Sequence, residues 1–372
     1  MRRSVIAASL LLTPSVSALA QNLDALSDAL NHLPATLLVG ERGDVAYFVD
    51  VQVVTGLADG KPDARPFFRV MAGADIVALE SLARTERAEW ETKAGTTMDK
   101  LVYFAGYGVP PNAHSLWGLS DVVAATEMIA TLESIGFENA GAPGVIGNGE
   151  PQKMDPAKRD PSDPWRTMIG AAQFATASGS AVVQAQTPQA AMLAAAQQPS
   201  LDENPILQTA LAGLEQSVGD SQIVQATIVS PLFGMTGIDP MAVISPSGGL
   251  EETKKLLEEQ MEGLGSGIPP YFGGIVADVQ HERQGVGIAL AYPDCTIAQQ
   301  AADAIATRWV DLASEDAQGQ ISATTTEGEG GLCAANVSVY IDTQETPQNP
   351  AYRAVIETYM RGQQGVLQIG AS

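Results

Sequence analysis

Three times along this chain an extended apolar stretch meets a capping residue and then a stripe of apolar positions spaced three and four residues apart, the period of a half-buried helix. Residues 114–119 lead through Ser120 and Asp121 into a helix predicted to about Ile135, with Val122, Ala125, Ile129, Leu132 and Ile135 inward. Residues 174–186 lead to Thr187, a good N-cap, and Pro188, whose fixed φ suits the first helical position. Residues 287–292 lead through Pro293 and Asp294 into a helix predicted to about Leu312, with Ile297, Ala301, Ile305, Trp309 and Leu312 inward. In each case the side-chain oxygen of Asp121, Thr187 or Asp294 can accept from a first-turn N–H that has no partner within the helix.

The same patterns predict further strands at 47–54, 101–107, 223–230, 322–326 and 334–342, and helices at 75–92, 206–218, 250–264 and from Asn349–Pro350 to near Gly362. Segments 271–280 and 285–292 read as a hairpin closed by the polar turn His281–Gln284, and strands joined by so short a turn must be antiparallel. The expected fold is α+β, with mixed, largely antiparallel sheets and helices packed on one face. The front of the chain reads α, β, α, β, β, α, β and the back α, β, β, α, β, β, α, which suggests an internal duplication of an α-β-β-α-β unit. Five prolines (143, 151, 156, 161 and 164) and Gly144, Gly147 and Gly149 interrupt any apolar period. The expected organisation is an N-terminal α+β domain at 21–145, a Pro-rich linker or surface loop at 146–166, and a C-terminal α+β domain at 167–372, with a smaller break at 231–249.

Composition narrows the functional classes. With 45% hydrophobic and 17% charged residues among 372, the chain can bury a substantial core and is not a disordered polyampholyte. The first twenty residues read as a secretory leader, expected to be cleaved after Ala20. Arg2 and Arg3 supply its positive end, 5–12 an apolar run too short for a bilayer, and Ala18-Leu19-Ala20 a small-residue cleavage site. No cysteine lies near that site to carry a lipid, and no later apolar run is long enough for a membrane span, so the expected location is the periplasm. Loss of the leader takes two arginines away and moves the formal charge from −23 to −25. So acidic a chain repels phosphate backbones, which excludes nucleic acid as a partner. The acidity fits solubility or a basic partner. In an oxidising compartment the two cysteines, Cys295 and Cys333, are expected to form a disulfide.

Candidate chemistry is sparse. The sequence contains no nucleophile-elbow, Ser-x-x-Lys, zinc-helix or P-loop signature, and the cysteines have no nearby histidines, so neither a cofactor nor a metal is expected. The most aromatic window, 103–117, holds His114 and Trp117 and is the best candidate for a pocket wall, with core packing the competing explanation of its rings. Lys153, Lys158, Arg159 and Arg166 concentrate positive charge in the Pro-rich segment, with Trp165 beside them as a candidate anchor. The expected binding residues are therefore Lys158, Arg159, Trp165, His114 and Trp117. The leading expectation is a non-catalytic periplasmic protein that binds or scaffolds a protein or small-molecule partner; the alternatives are a hydrolase with a carboxylate-based site and a solute-binding protein of two lobes.

Overall fold

The computed structural model describes residues 17–38, 45–58, 66–72, 76–108, 113–166, 169–196, 199–235, 267–342, 346–363 and 365–370. The expected helix at 250–264, most of the break at 231–249, and the leader as far as residue 16 lie outside them. In chain order the elements are α1 (Ser17–His32), β1 (Val45–Asp50), α2 (Val51–Gly56), α3 (Val77–Leu82), α4 (Arg87–Ala94), β2 (Leu101–Tyr107), β3 (His114–Leu119), α5 (Val122–Ser134), β4 (Glu138–Asn139) and β5 (Ile146–Gly147). There follow β6 (Phe174–Ser178), β7 (Ala181–Ala185), α6 (Pro188–Ala195), α7 (Pro205–Val218), β8 (Gln222–Val229), β9 (Gly273–Gln280), β10 (Gln284–Tyr292), α8 (Cys295–Leu312), β11 (Gly319–Glu327), β12 (Cys333–Ile341) and α9 (Pro350–Met360).

All twelve strands join one sheet in the order β11-β12-β10-β9-β8-β1-β2-β3-β7-β6-β5-β4. Every pairing between them is antiparallel. The chain is thus α+β around an antiparallel sheet. Its order contains a repetition. Outward from the centre, β1-β2-β3-β7-β6 is mirrored by β8-β9-β10-β12-β11, so each half places its fifth strand inside its fourth. The halves meet through the antiparallel pair β1·β8, Val45 opposite Val229. A helix precedes each half (α1, α7), and another follows each third strand (α5, α8). Even the entry to those last two helices is the same, since Asp121 caps α5 through the N–H of Ala124 and Asp294 caps α8 through that of Ile297.

Helices cover both faces of the sheet, which corrects the expectation of a single covered face. Alternate residues of each strand point to opposite faces. Val49, Phe104, Trp117 and Val182 pack with α2 to α5, whereas Phe48, Tyr103, Leu116 and Val183 pack with α1 and α7. α8 and α9 extend the first of these layers over β10 and β12. The reason lies in strands such as β9 and β10, buried at every residue, where small and β-branched side chains run without a polar alternation and demand cover on both sides.

Local readings shift in three places. The strand expected at 47–54 stops at Asp50, because its carboxylate accepts from Val53 N–H and turns 51–56 into α2. The helix expected at 75–92 is two helices, α3 and α4, broken at 83–86. On α5 the buried stripe is Ala124, Ala125, Met128 and Leu132, while Val122 and Ile135 are exposed; on α8, Leu312 is likewise exposed. The segment 146–166 is tied into the structure on both sides. β5 pairs with β6, and β7, which follows the segment, pairs with β3, which precedes it.

Candidate functional site

Five residues were expected to bind, and the structure separates them. Trp117 and Trp165 lie in the core. Trp117 stacks between Trp90 (ring centroids 5.5 Å, 16°) and Trp165 (4.9 Å, 6°), with Phe104 edge-on to Trp117 and Phe137 edge-on to Trp165. All three indoles are buried and each donates its N–H: Trp90 to Ser81 Oγ, Trp117 to Gln184 Oε1, and Trp165 to the Ala94 carbonyl. Trp165 therefore presents no ring to a partner, and the expectation that it anchors one is corrected. A large ring beside prolines is buried here because 146–166 folds back over α4 and against Phe137.

Lys158 and Arg159 are exposed on that same segment. Lys158 helps line a surface hollow of about 480 Å³ with Lys153 and Arg166, facing Glu138, Glu150 and Asp155; Arg159 does not reach it. The charges there are largely engaged with one another and with backbone. Lys153 pairs with Glu150 at 2.8 Å, and Arg166 donates to the Asn148 carbonyl at 2.8 Å. Nearby, Lys93 holds Asp160 at 2.8 Å and Ser162 donates to the same carboxyl through its Oγ and its N–H, and together these drive the Asp160 carboxyl down to about 2, from an ordinary 3.8.

His114 stands at a larger opening of about 870 Å³ on the α1 face of the sheet. The β2–β3 hairpin forms its floor, where Tyr107 and His114 are directly opposed and their rings stack at 4.7 Å. The end of α1 supplies His32. Behind it, reciprocal backbone bonds fasten 33–35 to 199–201: Ala35 N–H donates to Pro199 O, and Leu201 N–H to Leu33 O, each at 2.8 Å. Ala190, Leu193 and Ala194 of α6 form an apolar wall, and Ser178, Ser200 and Glu203 add polar groups.

Burial lowers the affinity of His32 for a proton, although the nearby Asp28 charge opposes the effect. Burial pushes the Tyr107 phenol up to about 12. At neutral pH the site thus offers a neutral imidazole, able to donate at one nitrogen and accept at the other, and a protonated phenol able to donate. It suits a ligand with an apolar body and a polar end. No local signal in the sequence links His32 to the Tyr107–His114 pair more than seventy residues away.

A second polar constellation escaped the sequence reading altogether. Arg69 and Asp278 form an ion pair sealed in the core, Nε to Oδ2 at 3.0 Å and Nη2 to Oδ1 at 2.6 Å. Gln225 Nε2 donates to the same carboxylate at 3.1 Å and Asn349 Nδ2 at 2.6 Å, and Arg69 Nη1 donates to Gln280. With every side chain buried and engaged by its neighbours, this cluster ties 66–72 and the cap of α9 to the middle of the sheet.

Cys295 and Cys333 form a disulfide, their Cα atoms 5.0 Å apart, which joins the start of α8 to the start of β12. Among the described residues no cluster of His, Cys, Asp and Glu could hold a metal ion, and no helix is long and apolar enough to cross a membrane.

No protein-family model matches the sequence, and no curated protein matches it. Among solved structures, crystal form I of TP0453 is similar at 11% identity and a TM-score of 0.33, over 88% of this chain and 98% of that one. Crystal form III of TP0453 is similar at 12% identity and a TM-score of 0.32, over 82% and 94%. Similarity at this level transfers no function.

Proposed function

We propose that this chain is exported to the periplasm and acts there as a non-catalytic binding or scaffolding protein, whose ligand is a small molecule or peptide end with an apolar body and one polar group. The observation that carries the reading is the opening of about 870 Å³ between α1, α6 and the β2–β3 hairpin. Its volume falls within the roughly 300 to 1,000 Å³ of ligand sites, and its makeup, apolar walls with a few convergent polar groups, follows the usual pattern. Its floor is a paired hairpin, and the segments 33–35 and 199–201 behind it are bonded to each other through backbone, which lowers the ordering cost of binding.

Two measurements test this. N-terminal sequencing of protein from the periplasmic fraction should begin at Gln21; recovery from the cytosol with residues 1–20 intact would end the export reading. Native mass spectrometry of that protein should show a bound small molecule that is lost from Ala194→Trp, which fills the opening, and weakened in His114→Ala. Retention by Ala194→Trp at an unchanged melting temperature would remove the site, and conversion of the released molecule on incubation would replace binding with catalysis.

A further inference from the structure

Among the described residues, nothing pairs with one long edge of the sheet. β11 is outermost, and among the described residues it pairs with β12 alone, from Gly319 opposite Ile341 to Glu327 opposite Cys333, without a register shift. Every second residue therefore turns its backbone N–H and C=O away from the protein. Folded proteins ordinarily blunt such an edge with lysine, proline, a bulge or a very short strand. β11 has none of these: it runs Gly-Gln-Ile-Ser-Ala-Thr-Thr-Thr-Glu over nine residues, and its single charge is the terminal Glu327.

The other half of the molecule shows what protection looks like in this fold. β6 is the counterpart of β11 in the repeated strand order, and it is covered. β5 pairs with it, Ile146 opposite Ala175, and β4, only two residues long, closes the sheet. One repeat carries an added ribbon over its edge, and in the other no described strand covers the equivalent edge.

Charge decides what can fill it. Glu315 lies just before β11, and Glu327 and Glu329 lie at and just after its end, all exposed. An antiparallel second copy would bring Glu315 of each chain beside Glu327 and Glu329 of the other, at both ends of the pairing and between chains of formal charge −23. Like charges so placed oppose association. An extended strand with basic residues at both ends meets acidic groups at both ends instead.

The geometry points to β11 as a docking edge for an extended segment of a basic partner protein, added as a thirteenth strand, with an uncharged, β-branched centre flanked by Lys or Arg. Side-chain alternation refines the fit. Ile321 and Ala323 are half-buried against the α8 layer, whereas Gln320, Ser322 and Thr324 point to water. The partner strand should accordingly alternate apolar with polar residues. This edge is separate from the opening at His114 and does not depend on it.

The test uses the full mature chain and two labelled peptides, Lys-Lys-Thr-Val-Thr-Val-Thr-Val-Thr-Lys-Lys and the same centre flanked by glutamates, followed by fluorescence anisotropy and hydrogen exchange. The basic peptide should bind about tenfold or more tightly than the acidic one, with the gap closing at high salt, and should slow exchange at alternate amides of β11. The surface variant Glu315→Lys/Glu327→Lys/Glu329→Lys should reverse the preference while keeping the parent melting temperature. Equal binding of the two peptides, an unreversed preference in the variant, or unchanged exchange in β11 would each overturn the proposal. So would concentration-dependent dimers that protect β11 without peptide, which would make a second copy the occupant.

Discussion

Replacing Asp278 with alanine is the sharpest test of how the sheet is held to the layer above it. The carboxylate is fully buried and accepts from Arg69 twice, from Gln225 and from Asn349. Its removal leaves the Arg69 guanidinium, itself only 7% exposed, as a buried charge without its counter-ion. Loss of one partner from a buried pair costs about 3 to 5 kcal/mol, a large share of the roughly 5 to 15 kcal/mol that holds a domain folded. The double variant Arg69→Met/Asp278→Leu removes both charges and should recover most of that loss. What persists is the buried Gln280 Oε1 without its Arg69 donor and a Gln225 amide left with only its 3.4 Å bond to the Arg69 carbonyl, at about 1 to 3 kcal/mol, since Asn349 still donates to the Gly285 carbonyl. Urea denaturation followed by circular dichroism reads both variants, as a lower midpoint at constant slope. A single variant within about 1 kcal/mol of the parent, or a double variant no better than the single, would refute the view that an uncompensated buried charge sets the cost.

Three further outcomes are expected. Trp165→Ala should lose about 3 to 5 kcal/mol in urea melts, because it empties a stacked, fully buried site, whereas Lys158→Ala and Arg159→Ala on the same segment should stay within about 0.5 kcal/mol. Reducing the Cys295–Cys333 bond should lower stability by about 4 kcal/mol in the chain-entropy model for a sequence separation of 38, read by comparing melts with and without reductant. The Asp160 carboxyl is held at about 2, below its ordinary 3.8, so its contribution is complete above 3.8 and disappears as pH falls toward 2. Asp160→Asn should flatten the stability curve in that window and leave the curve's shape above pH 5 unchanged.

Much of the local structure was legible because its causes sit within a few residues of one another. Asp121, Thr187 and Asp294 each cap the helix that follows them through an N–H three residues on. The polar turn after Gln280 joins β9 and β10 as an antiparallel pair. Two cysteines in an otherwise cysteine-free chain left a single intramolecular pairing, and it forms. Periodicity also named the helices α5 and α8, but it was less reliable about their flanks, because Met128 and Ile129 are similarly apolar and only the neighbouring layer selects between them. The remaining features rest on contacts that no local pattern encodes. Arg69 and Asp278 meet across 209 residues, Trp165 stacks on Trp117 because 146–166 folds back over α4, and His32 reaches the β2–β3 hairpin only when α1 crosses the sheet. Strand order, the cover on both faces and the outermost place of β11 among the described strands are of the same kind. Hydrogen bonding and burial for a strand are satisfied equally by many neighbours, and the choice among them is made by how all the layers pack together.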